Sequence, residues 1–135
     1  MNKHIDALIT RQENAFLTSI DDAGYPTVKV VRSPRKRDGL KTMYFTTHNN
    51  TQMVKSYRAN QQAMVYFMDE ARFQTASFYG TMTVETDPII IQELMETENA
   101  PVFAKGVDPK TYCVLRFTAD KVKFFSNMTT EVIDL

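Results

Sequence analysis

Apolar residues recur along this chain in two rhythms. Residues 2–12 (NKHIDALITRQ) place Ile5, Leu8 and Ile9 on one face of a 3.6-residue period, which predicts a short amphipathic helix. The same period returns after residue 50, where Met53, Val54 and Tyr57 share a face and Asn60 is a stop. A third helix is expected over residues 89–99 (IIIQELMETEN), opened by Asp87-Pro88 as cap and first turn. The other rhythm is that of strands, carried by β-branched and aromatic residues. It covers residues 16–20, 27–33, 40–47, 64–68, 72–85, 112–119 and 122–127.

The breaks agree with this division. Residues 21–25 (DDAGY) form a turn in which Gly24 is free to take positive φ, and Pro26 opens the next strand. In residues 27–33, Val28, Val30 and Arg32 point one way, and Lys29, Val31 and Ser33 the other. Pro34 ends that strand, and RKRDG is expected as a polar connection with Gly39 at its turn. Residues 64–68 are apolar on both faces, so a strand covered twice is expected. Gly80 marks a bulge or bend in the long strand. Residues 101–109 are expected to be irregular, and Asp120-Lys121 to be a tight turn between the last two strands. Six or seven strands with hairpin-length gaps and few helices predict a mainly β antiparallel barrel. Apolar groups on both faces of several strands imply that the second face is covered by helices or by another subunit.

Composition sharpens the picture in a few places. At 135 residues and 43% apolar, residues 1–135 are expected to form a single globular domain. No apolar run approaches 18 residues and no leader pattern opens the chain, so no membrane association and a cytoplasmic location are expected. One cysteine, Cys113, excludes an internal disulfide, and its apolar setting reads as core rather than nucleophile. Two histidines 44 positions apart make no familiar metal site, and no residue is read as catalytic. Zero formal net charge argues against nucleic acid as a partner. With no nucleophile elbow and no Walker or dinucleotide glycine pattern, redox or transfer chemistry would have to come from an organic cofactor.

Two local features point to an anionic ligand. Lys29, Arg32, Arg35, Lys36, Arg37 and Lys41 lie within 13 residues. A solvated loop is the commoner meaning of such a run, an anion site the sharper one. Residues 40–60 then read as strand, polar turn and helix, with Asn50 or Thr51 as the N-cap. A helix that starts straight after a strand offers free N–H donors and a positive dipole end to a phosphate, although ordinary capped connections of this kind are common.

The ordered set of pieces resembles the flavin-binding split barrel of the pyridoxamine 5'-phosphate oxidase-like superfamily, general stress protein branch. It is carried by Asp-x-x-Gly-x-Pro at Asp21 to Pro26, Tyr44-Phe45-Thr46-Thr47, and Arg58-Ala59-Asn60, over residues 5–128. The resemblance implies a six- to seven-stranded antiparallel split barrel that binds flavin mononucleotide (FMN) at a homodimer interface. It implies that Val30, Val31, Arg32 and Ser33 border the ring and ribityl chain, with Phe45, Thr46 and Thr47 on the other side. Thr51, Gln52 and Lys55 would approach the phosphate. Gln74 or Thr75, from the partner subunit, would reach the ring edge. Gln52 and Met53 stand where the family often has Arg-Lys, so Arg32 and Lys55 are left to supply the charge. The arginine and histidine that bind substrate in the true oxidase have no match, so a flavin-dependent redox activity on another substrate is implied. The other reading is a stress-associated barrel that binds no flavin, or a different anionic ligand such as a deazaflavin or a haem-derived molecule.

Overall fold

The computed structural model describes residues 2–95 and 109–135. Helix α1 (Lys3–Arg11) begins at Asn2, whose side chain accepts hydrogen bonds from the N–H groups of His4 and Ile5. Strands β1 (Asn14–Ile20) and β2 (Pro26–Arg32) follow as a hairpin. Asp21 shapes its turn by accepting from the N–H groups of Ala23 and Tyr25, and Gly24 takes φ +86°. Then come β3 (Lys36–Asp38), β4 (Thr42–His48), α2 (Gln52–Ala59), β5 (Gln62–Asp69), β6 (Gln74–Glu85) and α3 (Pro88–Met95). A short 3₁₀ turn (Pro109–Thr111) leads into β7 (Tyr112–Ser126), and β8 (Thr129–Asp134) closes the described chain.

All strand pairs are antiparallel, in the order β2-β1-β5-β6-β7-β4-β3, with β8 also on β7. The first half of β7 therefore has β4 beside it and the second half has β8. The two outer strands of that order, β2 and β3, are consecutive in the chain. The Ser33 N–H bonds the Glu13 carbonyl on one side of the crossing, at 3.0 Å. The Arg35 N–H bonds the Tyr44 carbonyl on the other, at 2.8 Å. The crossing thus ties the two margins together, and the sheet is a barrel of the split type.

Inward positions alternate along each strand as a pleated surface requires. Ala15 and Leu17, Met43 and Phe45, Val65 and Phe67, Ala76 and Phe78, and Leu115 and Phe117 all face one core. Helix α1 adds Ile5, Leu8 and Ile9 to it, and α2 adds Met53, Val54 and Tyr57. Each fully buried phenylalanine or leucine there contributes about 1.5–3 kcal/mol. A small second cluster lies on the other face, where Ile91 and Leu94 of α3 pack on Val114 with Tyr44 and Tyr112 beside them.

Four expectations change. Residues 112–127 are one bulged strand to Ser126, not two joined by a turn. The β6–β7 register shifts between Tyr79 and Gly80, where Tyr79 faces Lys121 but Gly80 faces Ala119. Asp120 is the extra residue of a bulge, and the ladder runs through it. The tight turn instead lies at Asn127-Met128, both at positive φ, and leads into β8, a largely exposed strand with little apolar pattern to announce it. Residues 36–38, expected in a loop, pair with β4. Arg72 and Phe73 belong to the β5–β6 turn, so that strand begins at Gln74. Within one subunit the strand over 64–68 is covered on one face only: Val65 and Phe67 are buried, but Met68 on the outer face is 42% exposed. The helix expected over 89–99 runs from Pro88 to Met95 in the described part, with Asp87 accepting from the Ile89 N–H. Its remainder and the irregular stretch at 101–108 lie outside the described residues.

Candidate functional site

Strand β2 is the most exposed of the long strands. Val28 and Val30 are 67% and 53% exposed on its outer face, while Val31 packs against the core. Arg32 continues the outer row, is exposed, and has no polar partner among the described residues. An apolar strip that ends in an uncompensated guanidinium suits a ligand with a flat apolar part and an anionic tail. Ser33 is half-buried, and its hydroxyl donates to the Gln12 carbonyl.

The strand-to-helix turn forms as its residues dictate. Thr51 is the N-cap of α2, its hydroxyl accepting from the Val54 N–H at 3.3 Å. The side chains of Gln52 and Lys55 are exposed and without polar partners among the described residues. Met53, beside them in sequence, is a core residue at 6% exposure, so no charge could be carried there without entering the core. Tyr57, one turn on, is fully buried and donates its hydroxyl to the Thr18 carbonyl at 3.1 Å. Burial raises its pKa well above the usual phenol range.

The remaining positions are scattered. The Phe45 ring is a core group at 1% exposure, which leaves only its backbone for a ligand. Thr46 and Thr47 are half-buried on β4, opposite Val114 and Cys113 of β7. Gln74 accepts from Arg11 and donates to Ser126, and Thr75 lies opposite Phe125. Phe125 and Cys113 are at opposite ends of β7. Within one subunit, therefore, Gln74 and Thr75 do not join Thr46 and Thr47, and a site using both sets requires a second copy of the chain. Cys113 itself is buried, and burial pushes its thiol pKa up, as for a core residue rather than a nucleophile.

A cleft of about 620 Å³ lies between α1 and the β2–β3 crossing. Arg32 and Ser33 border it, with Arg35 and Arg37 from beyond the crossing, and with none of the residues of α2. Arg35, expected in a polar connection and as one of a run of bases, is 8% exposed, and burial lowers its pKa. Its position was detectable: in an extended stretch Arg35 and Arg37 share one face and Lys36 the other, and Lys36 is indeed exposed. Among the described residues no cluster of His, Cys, Asp or Glu could hold a metal ion, and no helix is long and apolar enough to cross a membrane.

Among solved structures, a protein from Clostridium acetobutylicum, related to general stress protein 26 of Bacillus subtilis and placed in the pyridoxinephosphate oxidase family, superimposes with a TM-score of 0.87. It is 23% identical, over 98% of this chain and 92% of that one. General stress protein 26 from Bacillus anthracis gives 0.76 at 14% identity, over 97% and 95% of the two chains. A pyridoxamine 5'-phosphate oxidase-related, FMN-binding protein from Nostoc punctiforme gives 0.74 at 12% identity, over 98% and 95%. No curated protein matches the chain. The family model described as pyridoxamine 5'-phosphate oxidase like matches residues 1–134, which is nearly the whole sequence. With the split-barrel topology beside that match, this chain belongs to the pyridoxamine 5'-phosphate oxidase-like family.

Proposed function

We propose that this protein is a homodimeric FMN-binding redox protein. The observation that carries the reading is the outer row of β2, where exposed Val28 and Val30 lead to the uncompensated Arg32. The name of the Nostoc relative, an FMN-binding protein of the same fold, supports the choice of ligand. When bound, the flavin supplies electron or hydride transfer, which no side chain here supplies. The chain's own part is to bind and orient. Val30, Val31 and Ser33 border one side of the ring and ribityl chain, and the backbone of Phe45 with Thr46 and Thr47 borders the other. Arg32 and Lys55 hold the phosphate, with Thr51 and Gln52 close to it. Gln74 or Thr75 of the second copy reaches the ring edge, since neither does so within one subunit. Pyridoxamine phosphate oxidation is not proposed.

Titration with FMN and with riboflavin, followed by flavin fluorescence, tests this. Arg32→Ala or Lys55→Ala should weaken FMN about ten- to a hundredfold, equivalent to roughly 1.5–3 kcal/mol. Riboflavin, without a phosphate, should be little affected. Folding should change by less than about 1 kcal/mol, because both side chains are exposed. A protein that stays colourless, with an unshifted melting temperature in FMN, would overturn the proposal and favour a barrel with another ligand.

A further inference from the structure

Phe73, next in the chain to Gln74 and Thr75, is 65% exposed and takes φ +52°. An exposed apolar side chain is by itself ordinary. A bulky one in the left-handed region is not, because its Cβ crowds the backbone there and glycine or asparagine is the usual occupant. Phe73 is the last residue of the loop between Asp69 and Gln74, which face each other across the β5–β6 ladder. Its N–H bonds the Glu70 carbonyl at 3.2 Å.

Both flanks of Phe73 are fastened. On one side the Asp69 carboxylate, itself buried, accepts from the Arg72 N–H and from the side chains of Arg72 and Arg11. On the other, Gln74 accepts from Arg11 at 3.1 Å and donates to Ser126 at 3.2 Å. Arg11 thus bridges the two ends of the loop, which over-determines a conformation the side chain disfavours. The Phe73 ring is not drawn into the core. It meets Phe125 edge to face, with centroids 5.9 Å apart. Thr75 lies between Phe125 and Met68 in one row of the sheet. Tyr66, two residues before Met68, is on the same outer face and carries it on to Phe16. A rigid aromatic group therefore stands at the margin of the apolar outer face, one residue from Gln74 and two from Thr75. Such a ring loses little freedom on contact and suits a flat apolar ligand.

We propose that Phe73 of the second copy is a flavin-ring contact, packing on the isoalloxazine bordered by β2 and β4 of the first copy and shielding it from water. The assignment rests on the flavin reading of the same site and adds to it the residue for which the β5–β6 loop is strained.

The experiment titrates FMN and riboflavin into the full chain by calorimetry. Phe73→Gly removes the left-handed strain, so it should melt no lower than the parent, yet it should weaken both flavins about tenfold. Equal losses separate a ring contact from a phosphate contact, since Arg32→Ala should weaken FMN alone. Phe73→Trp keeps an aromatic plane and adds an electron donor. It should bind both flavins within about threefold of the parent and quench their fluorescence further. Co-expression of Phe73→Gly and Arg32→Ala chains shows which copy contributes the ring. In a mixed dimer one site carries both changes and the other neither, so about a quarter of all sites should regain the parent's FMN affinity. Three results would each overturn the proposal and leave the flavin reading standing: parent-like binding of both flavins by Phe73→Gly, no added quenching in Phe73→Trp, or no parent-like site in the co-expressed protein. A parent that binds neither flavin would overturn both.

Discussion

Gly80 shows how much one missing side chain can carry. It lies at the register shift where β6 and β7 bend together. A Cβ there would sit 1.9 Å from the Thr118 carbonyl oxygen and 2.9 Å from the Ala119 Cα. Both are backbone atoms of the adjoining strand, and neither can move without breaking the ladder. Gly80→Ala should therefore cost about 3 kcal/mol in urea unfolding. Gly24 is the contrast. Its φ of +86° strains any other residue, but no atom lies within 4 Å of an added Cβ, so Gly24→Ala should cost only about 1 kcal/mol. Equal losses at the two positions would mean that close approach is not what Gly80 provides. That a glycine here marked a bend was readable from the sequence; that the extra residue is Asp120, on the other strand, was not, because a bulge belongs to a pair of strands.

Helix α1 is fastened to the β5–β6 hairpin by one carboxylate. Asp69 is 6% exposed and accepts from Arg11 Nε at 2.9 Å, Arg72 Nη1 at 3.1 Å and the Arg72 N–H at 3.2 Å. Burial by itself would raise its pKa, but the bonds from Arg11 and Arg72 outweigh that and hold it below the ordinary carboxylate range. The sign follows from linkage. A group whose pKa is lower folded than unfolded stabilises at all pH values above its unfolded pKa of about 3.9, and that stability is lost as pH falls through the folded value. Melting temperature should thus fall steeply below about pH 4, and Asp69→Asn should lower it at pH 7 and flatten that acid limb. If the two proteins lose stability in parallel down to pH 2.5, Asp69 is not the group responsible. Helix α2 was more legible than this anchor. Its cap at Thr51, its buried face and its stop at Asn60 follow from residues within ten positions of one another, whereas the partners of Asp69 include Arg11, far away in the chain.

At the scale of the molecule, the outer face of the first half-barrel is apolar and uncovered by the described residues. The register sets Val30, Phe16, Tyr66 and Ser77 in one row and Val28, Thr18, Met64 and Tyr79 in the next. Phe16 and Tyr66 meet edge to face at 6.3 Å. A face of this composition is suited to a second copy, and the separation of Gln74 from Thr47 along β7 asks for one. Val28, 67% exposed at the centre of the second row's β2 end, is the position to perturb. Val28→Glu should halve the mass seen by light scattering at micromolar concentration and weaken FMN at least tenfold. The monomer's own core should be intact, since Val28 takes no part in it. A parent that is already monomeric at about 100 μM, yet binds FMN, would end the two-copy reading.

What the sequence determined by itself was whatever depends on near neighbours. Period-2 and period-3.6 patterns set most strands and the three helices, Asp21 and Thr51 set their turn and cap, and the order of these pieces was enough to identify the barrel family. The tertiary structure alone decided where distant segments meet. It carried β7 unbroken past Asp120-Lys121, because pairing with β6 continues on both sides of a bulge that a single strand reads as a turn. It made a strand of residues 129–134, whose polar pattern means little until the edge of β7 is there to receive it. It buried the side chains of Phe45 and Met53, which leaves Phe45 only its backbone to offer a ligand and Met53 no room for a charge. And it brought Arg32, Arg35 and Arg37 around one cleft, since a run of bases acquires a common direction only once the crossing between β2 and β3 has closed the sheet.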